Sequence, residues 1–287
     1  MNKVILGTAQ FGLNYGINNK KGQPTQKETA AILDYAWSVG IDMLDTAMHY
    51  GNALEVIGNY HGQRKHRFKL ISKFQEHADL DLKEHVEATL DKLKITALEG
   101  LLCHSFDFFT REDRLRQQLF YLKQKGYIHK IGVSIYSKQQ LFYLLDNQLH
   151  IDIIQLPYNL LDNYANKGQL IKKASQKGIE IHTRSAFLQG LFFRPLDTLP
   201  EKIQPLRPYL EQIHNISQEL SIPMHQLALN YAAENADISK VIIGVDSLEQ
   251  LKSNLSAVQP KLIGEKWLTT LNQITVKEQS LLQPVNW

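Results

Sequence analysis

Four polar side chains of complementary chemistry close successive apolar runs in this 287-residue chain. Asp45 follows Ile41-Asp42-Met43-Leu44, and Tyr50 follows in Thr46-Ala47-Met48-His49-Tyr50-Gly51. Lys73 ends Phe68-Lys69-Leu70-Ile71-Ser72, and His104 follows Leu101-Leu102-Cys103. Together they suit reduction of a carbonyl, which needs a hydride donor, a proton donor and groups that hold the carbonyl oxygen. A tyrosine can give the proton, but its ordinary pKa is about 10. A nearby cation stabilises the phenolate and lowers that pKa; Lys73 is the candidate, and Asp45 would keep it charged and oriented. His104 could donate a hydrogen bond to the carbonyl oxygen. Taken singly, the residues read as a cap, a packing ring, a surface lysine and a structural histidine. The reading rests on the set, in this order, on consecutive strands.

Strands must hold these groups, and the chain supplies them at regular intervals. Strand-like runs occur at Val4–Leu6, Met43–Asp45, Leu70–Lys73, Gly100–Cys103, Lys130–Val133, Ile151–Gln155, Glu180–Thr183 and Val241–Ile243. Between them lie segments with helical spacing, such as Leu82-Val86-Leu90-Leu93 and Leu115-Leu119-Leu122. That alternation argues for parallel βαβ units. Gly40, Gly126 and Gly178 each stand where a helix ends and a strand begins, a place that favours left-handed backbone. Thr25-Gln26-Lys27-Glu28 reads as a capping box. Pro195 to Pro208 is the least regular stretch and fits a long loop after the seventh strand. Eight units in one domain, residues 1–287, predict a (β/α)8 TIM barrel with its site at the C-terminal strand ends. A doubly wound sheet would want Gly-x-Gly-x-x-Gly after an early strand. The spacing of Gly7, Gly12 and Gly16 does not provide it.

Bulk properties narrow the partners. A chain this long can bury roughly 75% of its unfolded surface. It is 43% hydrophobic and 21% charged, with net charge +3. That charge is too small to imply a nucleic-acid or membrane partner. The single cysteine, Cys103, excludes an intrachain disulfide and fits a reducing compartment. Strand alternation sends it to the face opposite His104, so it reads as a packing residue. Residues Met1 to Gly7 hold no signal-length apolar segment, and no run approaches the roughly 20 apolar residues of a membrane span. Cytoplasmic residence is the expectation.

The motifs resemble those of the aldo-keto reductase superfamily over most of the chain. Leu6-Gly7-Thr8-Ala9 resembles its first strand and turn. Asp45-Thr46-Ala47 with Tyr50-Gly51 resembles its signature, and Ile71-Ser72-Lys73 its lysine strand. Ile131-Gly132-Val133-Ser134, Gln155 with Tyr158-Asn159, and Ser185 with Leu188-Gln189-Gly190-Leu191 resemble its fifth, sixth and seventh strand ends. Ile243-Gly244 through Asn254 resembles the region that binds the adenosine end. The resemblance implies NADPH or NADH as cofactor and a small-molecule carbonyl substrate. It makes Tyr50 the proton donor, supported by Asp45, Lys73 and His104. Ser134 and Gln155 would hold the nicotinamide carboxamide. Arg184 stands where the family usually stacks an aromatic ring on the nicotinamide, and a planar guanidinium could stack there too. Ser185 and Leu188 would run along the pyrophosphate, with Gly244, Asp246, Gln250 and Asn254 near the adenosine.

Two positions depart from the pattern. Ile135 replaces the Asn that often follows the fifth-strand Ser. Asp246 and Gln250 stand where NADP-preferring relatives usually place Lys or Arg. An acid disfavours a 2′-phosphate and suits a free ribose hydroxyl, so NADH use is expected. The bland alternative is that Asp246 caps the following helix; Lys252 could still reach a phosphate. Phe11, His49, Phe74 and Phe106 follow strands and are candidates for the mouth, with Phe74 and Phe106 reading equally as packing residues. Trp287 either covers the barrel top or, the preferred reading, anchors the tail against the outer helices. The Gln10–Gly16 and Arg184–Gly190 loops resemble those of bacterial aldo-keto reductases, some of which look associated with surface-sugar biosynthesis, and that resemblance implies a sugar, nucleotide-sugar or small-aldehyde substrate. The competing function is a cofactor-binding regulatory or redox-sensing subunit with slow or no turnover. Reduction of a carbon–carbon double bond is a third, disfavoured because relatives that perform it have Glu in place of His104. Oligomeric state is not legible.

Overall fold

The computed structural model describes residues 3–16, 19, 21–76 and 81–287, so Met1 and Asn2 of the N-terminal reading lie outside the described residues. Eight parallel strands close a barrel in chain order. They are β1 (Val4–Gly7), β2 (Met43–Asp45), β3 (Lys69–Phe74), β4 (Leu98–Cys103), β5 (Ile128–Ser134), β6 (Ile153–Pro157), β7 (Glu180–Arg184) and β8 (Lys240–Gly244). The described helices are α1 (Ala9–Gly12), α2 (Gln26–Ser38), α3 (Ala53–Gly62), α4 (Leu82–Leu93), α5 (Phe106–Arg111) and α6 (Asp113–Gln124). They continue with α7 (Lys138–Asp146), α8 (Gln169–Gln176), α9 (Arg207–Glu219), α10 (Met224–Ala233), α11 (Leu248–Ala257) and α12 (Glu265–Gln273). The eight strands and the (β/α)8 architecture agree with the sequence-based expectation.

Strand alternation divides the core in two. Ile5, Met43, Ile71, Leu102, Ile153 and Ile242 form an apolar cluster of their own, whereas Leu6, Leu44, Leu70, Leu101, Val133, Ile154 and Ile243 belong to the larger cluster with the helices. Period-two spacing then places Gly7, Asp45, Lys73, His104, Gln155 and Gly244 one step toward the C-terminal ends from those six apolar residues. The apolar plug thus floors a polar layer. Truncating a plug residue such as Ile71 to Ala would cost about 2–5 kcal/mol.

Local signals behave as their chemistry requires. The Thr25–Glu28 capping box forms, and Gly40, Gly126 and Gly178 have φ of 84°, 76° and 79°. Leu82, Val86, Leu90 and Leu93 of α4, and Leu115, Leu119 and Leu122 of α6, are buried. Cys103 is buried, its thiol pushed up to about 12 by burial, with Sγ donating to Ser105 O. The stretch from Pro195 contains two 3₁₀ turns, Leu196–Thr198 and Glu201–Leu206, but α9 already starts at Arg207. The Trp287 indole donates to Leu281 O at 2.8 Å, and the ring packs on the core edge away from the cavity described below.

Candidate active site

Asp45 is the last residue of β2, and Lys73 stands one residue before the end of β3. Lys73 Nζ donates to Asp45 Oδ1 at 2.5 Å and to Thr46 O at 2.9 Å, with both side chains almost wholly buried. Asp45 Oδ2 accepts from Gln155 Nε2 at 2.7 Å. Burial alone would pull the Lys73 pKa down; Asp45 and Tyr50 more than offset this, and the net is above the usual lysine value. Lys73 therefore keeps its proton beneath the cavity, with Asp45 as its counter-ion.

Tyr50 sits in the turn between β2 and α3, its ring centroid 5.2 Å from Lys73 Nζ. Packing fixes that turn: a Cβ on Gly12 would overlap Tyr50 O, and one on Gly51 would overlap Gly12 O, with Gly51 at φ 51°. Burial raises the Tyr50 pKa, Lys73 lowers it, and the net is above the ordinary phenol. The expectation that Lys73 leaves Tyr50 with a depressed pKa is thus corrected. The lysine acts in the expected direction, but burial of the ring outweighs it, and the group holds its proton.

His104 follows β4 and stacks on His49 with ring centroids 4.7 Å apart. Burial, then the charges of His49, Lys73 and Arg184, pull its pKa down to about 3, so it is neutral near pH 7. The Gln75 amide nitrogen lies 3.4 Å from Nδ1. An amide nitrogen can only donate, so Nδ1 accepts and Nε2 carries the proton.

These groups border a cavity of about 730 Å³ at the C-terminal strand ends. Asp45, Tyr50, His104, Gln155, Arg184, Ser185, Gly244, Asp246, Gln250 and Asn254 line it. Lys73, Ser134 and Leu188 lie beneath its surface. The Leu188 side chain packs in the core, while its left-handed backbone, φ 46°, belongs to the loop. Ser185, Gln189 and Gly190 are also left-handed, at 62°, 53° and 91°, an accumulation of strain of the kind that clusters at ligand sites. Gln189 Nε2 meets Tyr15 Oη at 3.3 Å, so the loops after β1 and β7 touch.

Ser134 Oγ, Gln155 Oε1, His182 Nδ1 and Asp246 Oδ1 are among the buried polar atoms that have no hydrogen-bond partner among the described residues. The first three stand on cross-strand neighbours, since Ser134 pairs with Gln155 and Gln155 with His182. Buried polar atoms are rarely left unpaired. A hydroxyl beside a free amide oxygen suits a carboxamide, which needs one donor and one acceptor. The donor set therefore fits a nicotinamide.

At the far end, Ser247, not Asp246, caps α11 by accepting from Gln250 N, which removes the capping alternative. Asp246 N instead donates to Gln250 Oε1 at 2.8 Å, and burial raises the Asp246 pKa. Lys252 Nζ lies 5.3 Å over the Tyr35 ring and does not line the cavity. Phe11 and Phe74 are wholly buried in the core, and Phe106 packs edge-on against Tyr143. Of the four mouth candidates, only His49 lines the cavity. Sequence reasoning missed Tyr136, which lines the cavity; an aromatic residue two positions past a strand-end serine was the available signal.

Comparison with known proteins agrees with this geometry. The model of the aldo/keto reductase family matches residues 3–273. An uncharacterized oxidoreductase of Bacillus subtilis (strain 168), YqkF, is 23% identical over 97% of this chain and 98% of its own. The L-glyceraldehyde 3-phosphate reductase of Escherichia coli (strain K12) is 25% identical over 85% of this chain and 82% of its own. The holo form of an aldo-keto reductase from Bacillus halodurans superposes with TM-score 0.75 at 21% identity, covering 96% of this chain and 94% of the other. No helix among the described residues is long and apolar enough to cross a membrane. With a barrel of this topology, a strand-end cavity floored by a charged Lys–Asp pair, and a family match over nearly its whole length, the chain belongs to the aldo/keto reductase family and is an NAD(P)H-dependent reductase.

Proposed function

We propose that residues 1–287 act as one cytoplasmic catalytic domain that reduces a small aldehyde or ketone, a sugar carbonyl included, with Tyr50 as proton donor. The observation that carries this is the buried Lys73–Asp45 pair beneath the Tyr50 ring, at the floor of the cavity. A bound nicotinamide supplies the hydride. Tyr50 gives its phenolic proton to the carbonyl oxygen, and its raised pKa keeps that proton in place until the oxygen gains charge. Lys73 then stabilises the phenolate, and Asp45 holds the ammonium in position. His104 donates from Nε2 to the same oxygen, a hydrogen bond that strengthens as charge develops. Ser134 Oγ and Gln155 Oε1 would hold the carboxamide of that cofactor, and Gly244, Gln250 and Asn254 would border its adenosine.

The test is Tyr50→Phe, with loss of reduced-cofactor absorbance followed over a panel of aldehydes, ketones and keto-sugars. Turnover should fall by about 10²–10⁴ while cofactor affinity changes less than about threefold. Unchanged turnover would show that another group gives the proton, and binding without turnover by the unaltered chain would favour the regulatory reading.

NADH serves in this reading at least as well as NADPH. Asp246, with an unpaired Oδ1, lines the cavity, while Lys252 is engaged by Tyr35. A carboxylate accepts from a ribose hydroxyl and repels a phosphate. Comparison of the two Michaelis constants decides it: an NADPH preference above about tenfold, roughly 1.4 kcal/mol, would be incompatible with this role for Asp246.

A further inference from the structure

Arg184 is the single Lys or Arg side chain among the described residues that line the cavity. It ends β7, half-buried. Its guanidinium carbon lies 4.3 Å over the Tyr136 ring, and Nη2 donates to Ile135 O at 3.3 Å. One face is thus covered by an aromatic ring and one edge tied to the backbone after β5. No carboxylate among the described residues forms an ion pair with it, whereas Lys73, the other cation of the site, has Asp45 at 2.5 Å. Arg184 therefore presents a fixed, uncompensated positive charge to the cavity. That charge is felt at the reacting end: it opposes protonation of His104 and favours ionisation of Tyr50.

Tyr50 and His104 define where the carbonyl oxygen must lie, so a hydride donor must place its ring in the same part of the cavity. The nicotinamide ring is neutral when reduced and carries one positive charge when oxidised. A cation fixed nearby in a partly desolvated cavity raises the energy of the oxidised form and leaves the reduced form nearly untouched. Burial against Tyr136 limits the movement by which the guanidinium could escape that repulsion, and an arginine cannot lose its proton to relieve it.

We propose that Arg184 makes the site discriminate between cofactor oxidation states, holding the reduced form tightly and expelling the oxidised form after turnover. This rests on the reading of the cavity as a nicotinamide site at which Tyr50 acts. It goes further in assigning Arg184 an electrostatic task that a neutral stacking residue could not perform. In a steady state that reduces carbonyls, such a residue hastens release of spent cofactor.

Dissociation constants for NADH and NAD⁺ test this on the full chain, without substrate, by cofactor fluorescence and calorimetry. The unaltered chain should bind NADH at least about tenfold more tightly than NAD⁺, a difference of about 1.4 kcal/mol. Arg184→Met should bring that ratio below about threefold, mainly by strengthening NAD⁺ binding. Arg184→Lys, which keeps the charge but not the planar stack, should retain most of the ratio. A ratio unchanged in Arg184→Met overturns the proposal. So does an equal loss of affinity for both forms, which would make Arg184 a phosphate or ribose ligand. A ratio lost equally in the Lys variant also overturns it, since shape rather than charge would then matter. An unaltered chain that binds neither form would instead overturn the nicotinamide reading of the cavity.

Discussion

Among the described residues the protein buries two Lys–Asp pairs, and by their own geometry they are nearly twins. Lys73 meets Asp45 at 2.5 Å and Lys167 meets Asp162 at 2.5 Å, with every side chain at most 5% exposed. Their surroundings separate them. Asp45 lines the cavity, is braced by Gln155 from across the barrel, and holds Lys73 beneath the Tyr50 ring. Asp162 is braced by Asn166 Nδ2 at 2.8 Å, and Lys167 also donates to Pro157 O, so the second pair ties the segment after β6 to itself. The charges differ accordingly. Asp45 and Tyr50 lift Lys73 above the usual lysine range, whereas at Lys167 burial outweighs Asp162 and the pKa is lowered. A buried Lys–Asp pair is therefore not in itself a sign of chemistry. What matters is whether its charge reaches a titratable group at a cavity.

The largest expected effect separates the pairs by readout. Lys73→Met should lower turnover by about 10²–10⁴, because the phenolate of Tyr50 loses its counter-charge. Lys167→Met should leave turnover within about threefold and instead destabilise the fold by about 3–5 kcal/mol, the cost of leaving a buried carboxylate unpaired. Urea unfolding beside steady-state kinetics gives both numbers. A turnover loss in the Lys167 variant matching that of the Lys73 variant would break the distinction.

An intermediate effect comes from removing whole pairs. Asp162→Leu combined with Lys167→Met should recover most of the stability lost by the single change, to within about 1–2 kcal/mol of the starting protein, since an apolar pair needs no desolvation. Asp45→Leu with Lys73→Met should recover stability in the same way but no turnover. Recovery of activity in that double variant would mean that the pair serves only to fill space.

The smallest effect is in acid. His104 is held at about 3 in the folded chain, chiefly by burial, against about 6.5 when unfolded. Between those values the unfolded chain binds a proton that the folded one does not, so stability falls as pH drops from about 6.5 toward 3. Glu180, held near 2 chiefly by the hydrogen bond from His182, adds a second loss as pH falls below about 4.3. His104→Gln should flatten the upper part of that slope in urea midpoints taken at pH 7, 5.5 and 4.5. Equal slopes in the unaltered chain and in His104→Gln would contradict the neutral, buried imidazole.

Much of the site was legible because it obeys local rules. The parity that sends Met43 and Ile71 into the barrel plug also sends Asp45 and Lys73 inward one step later, and that parity is written in the residue order. Asp246 was legible as an acid where a cation would suit a phosphate. Its freedom from helix capping was not, because Ser247 beside it has the same chemistry and only backbone geometry chose between them. Apolarity alone does not separate a pocket wall from a packing residue at the strand-end phenylalanines: Phe11 and Phe74 both turn into the core.

The sequence by itself determined the order of the four candidate groups, the eight strand–helix units and the strand ends at which they stand, because spacing and alternation are local properties. Tertiary structure decided what the charges mean. Folding set Arg184 over Tyr136 with no carboxylate partner among the described residues, drew Lys252 to Tyr35, and left Ser134, Gln155 and His182 side by side with atoms that no described residue pairs. It also decided that burial of Tyr50 outweighs the pull of Lys73. Desolvation and the distances between charges depend on segments remote in the chain, and no local spacing encodes them.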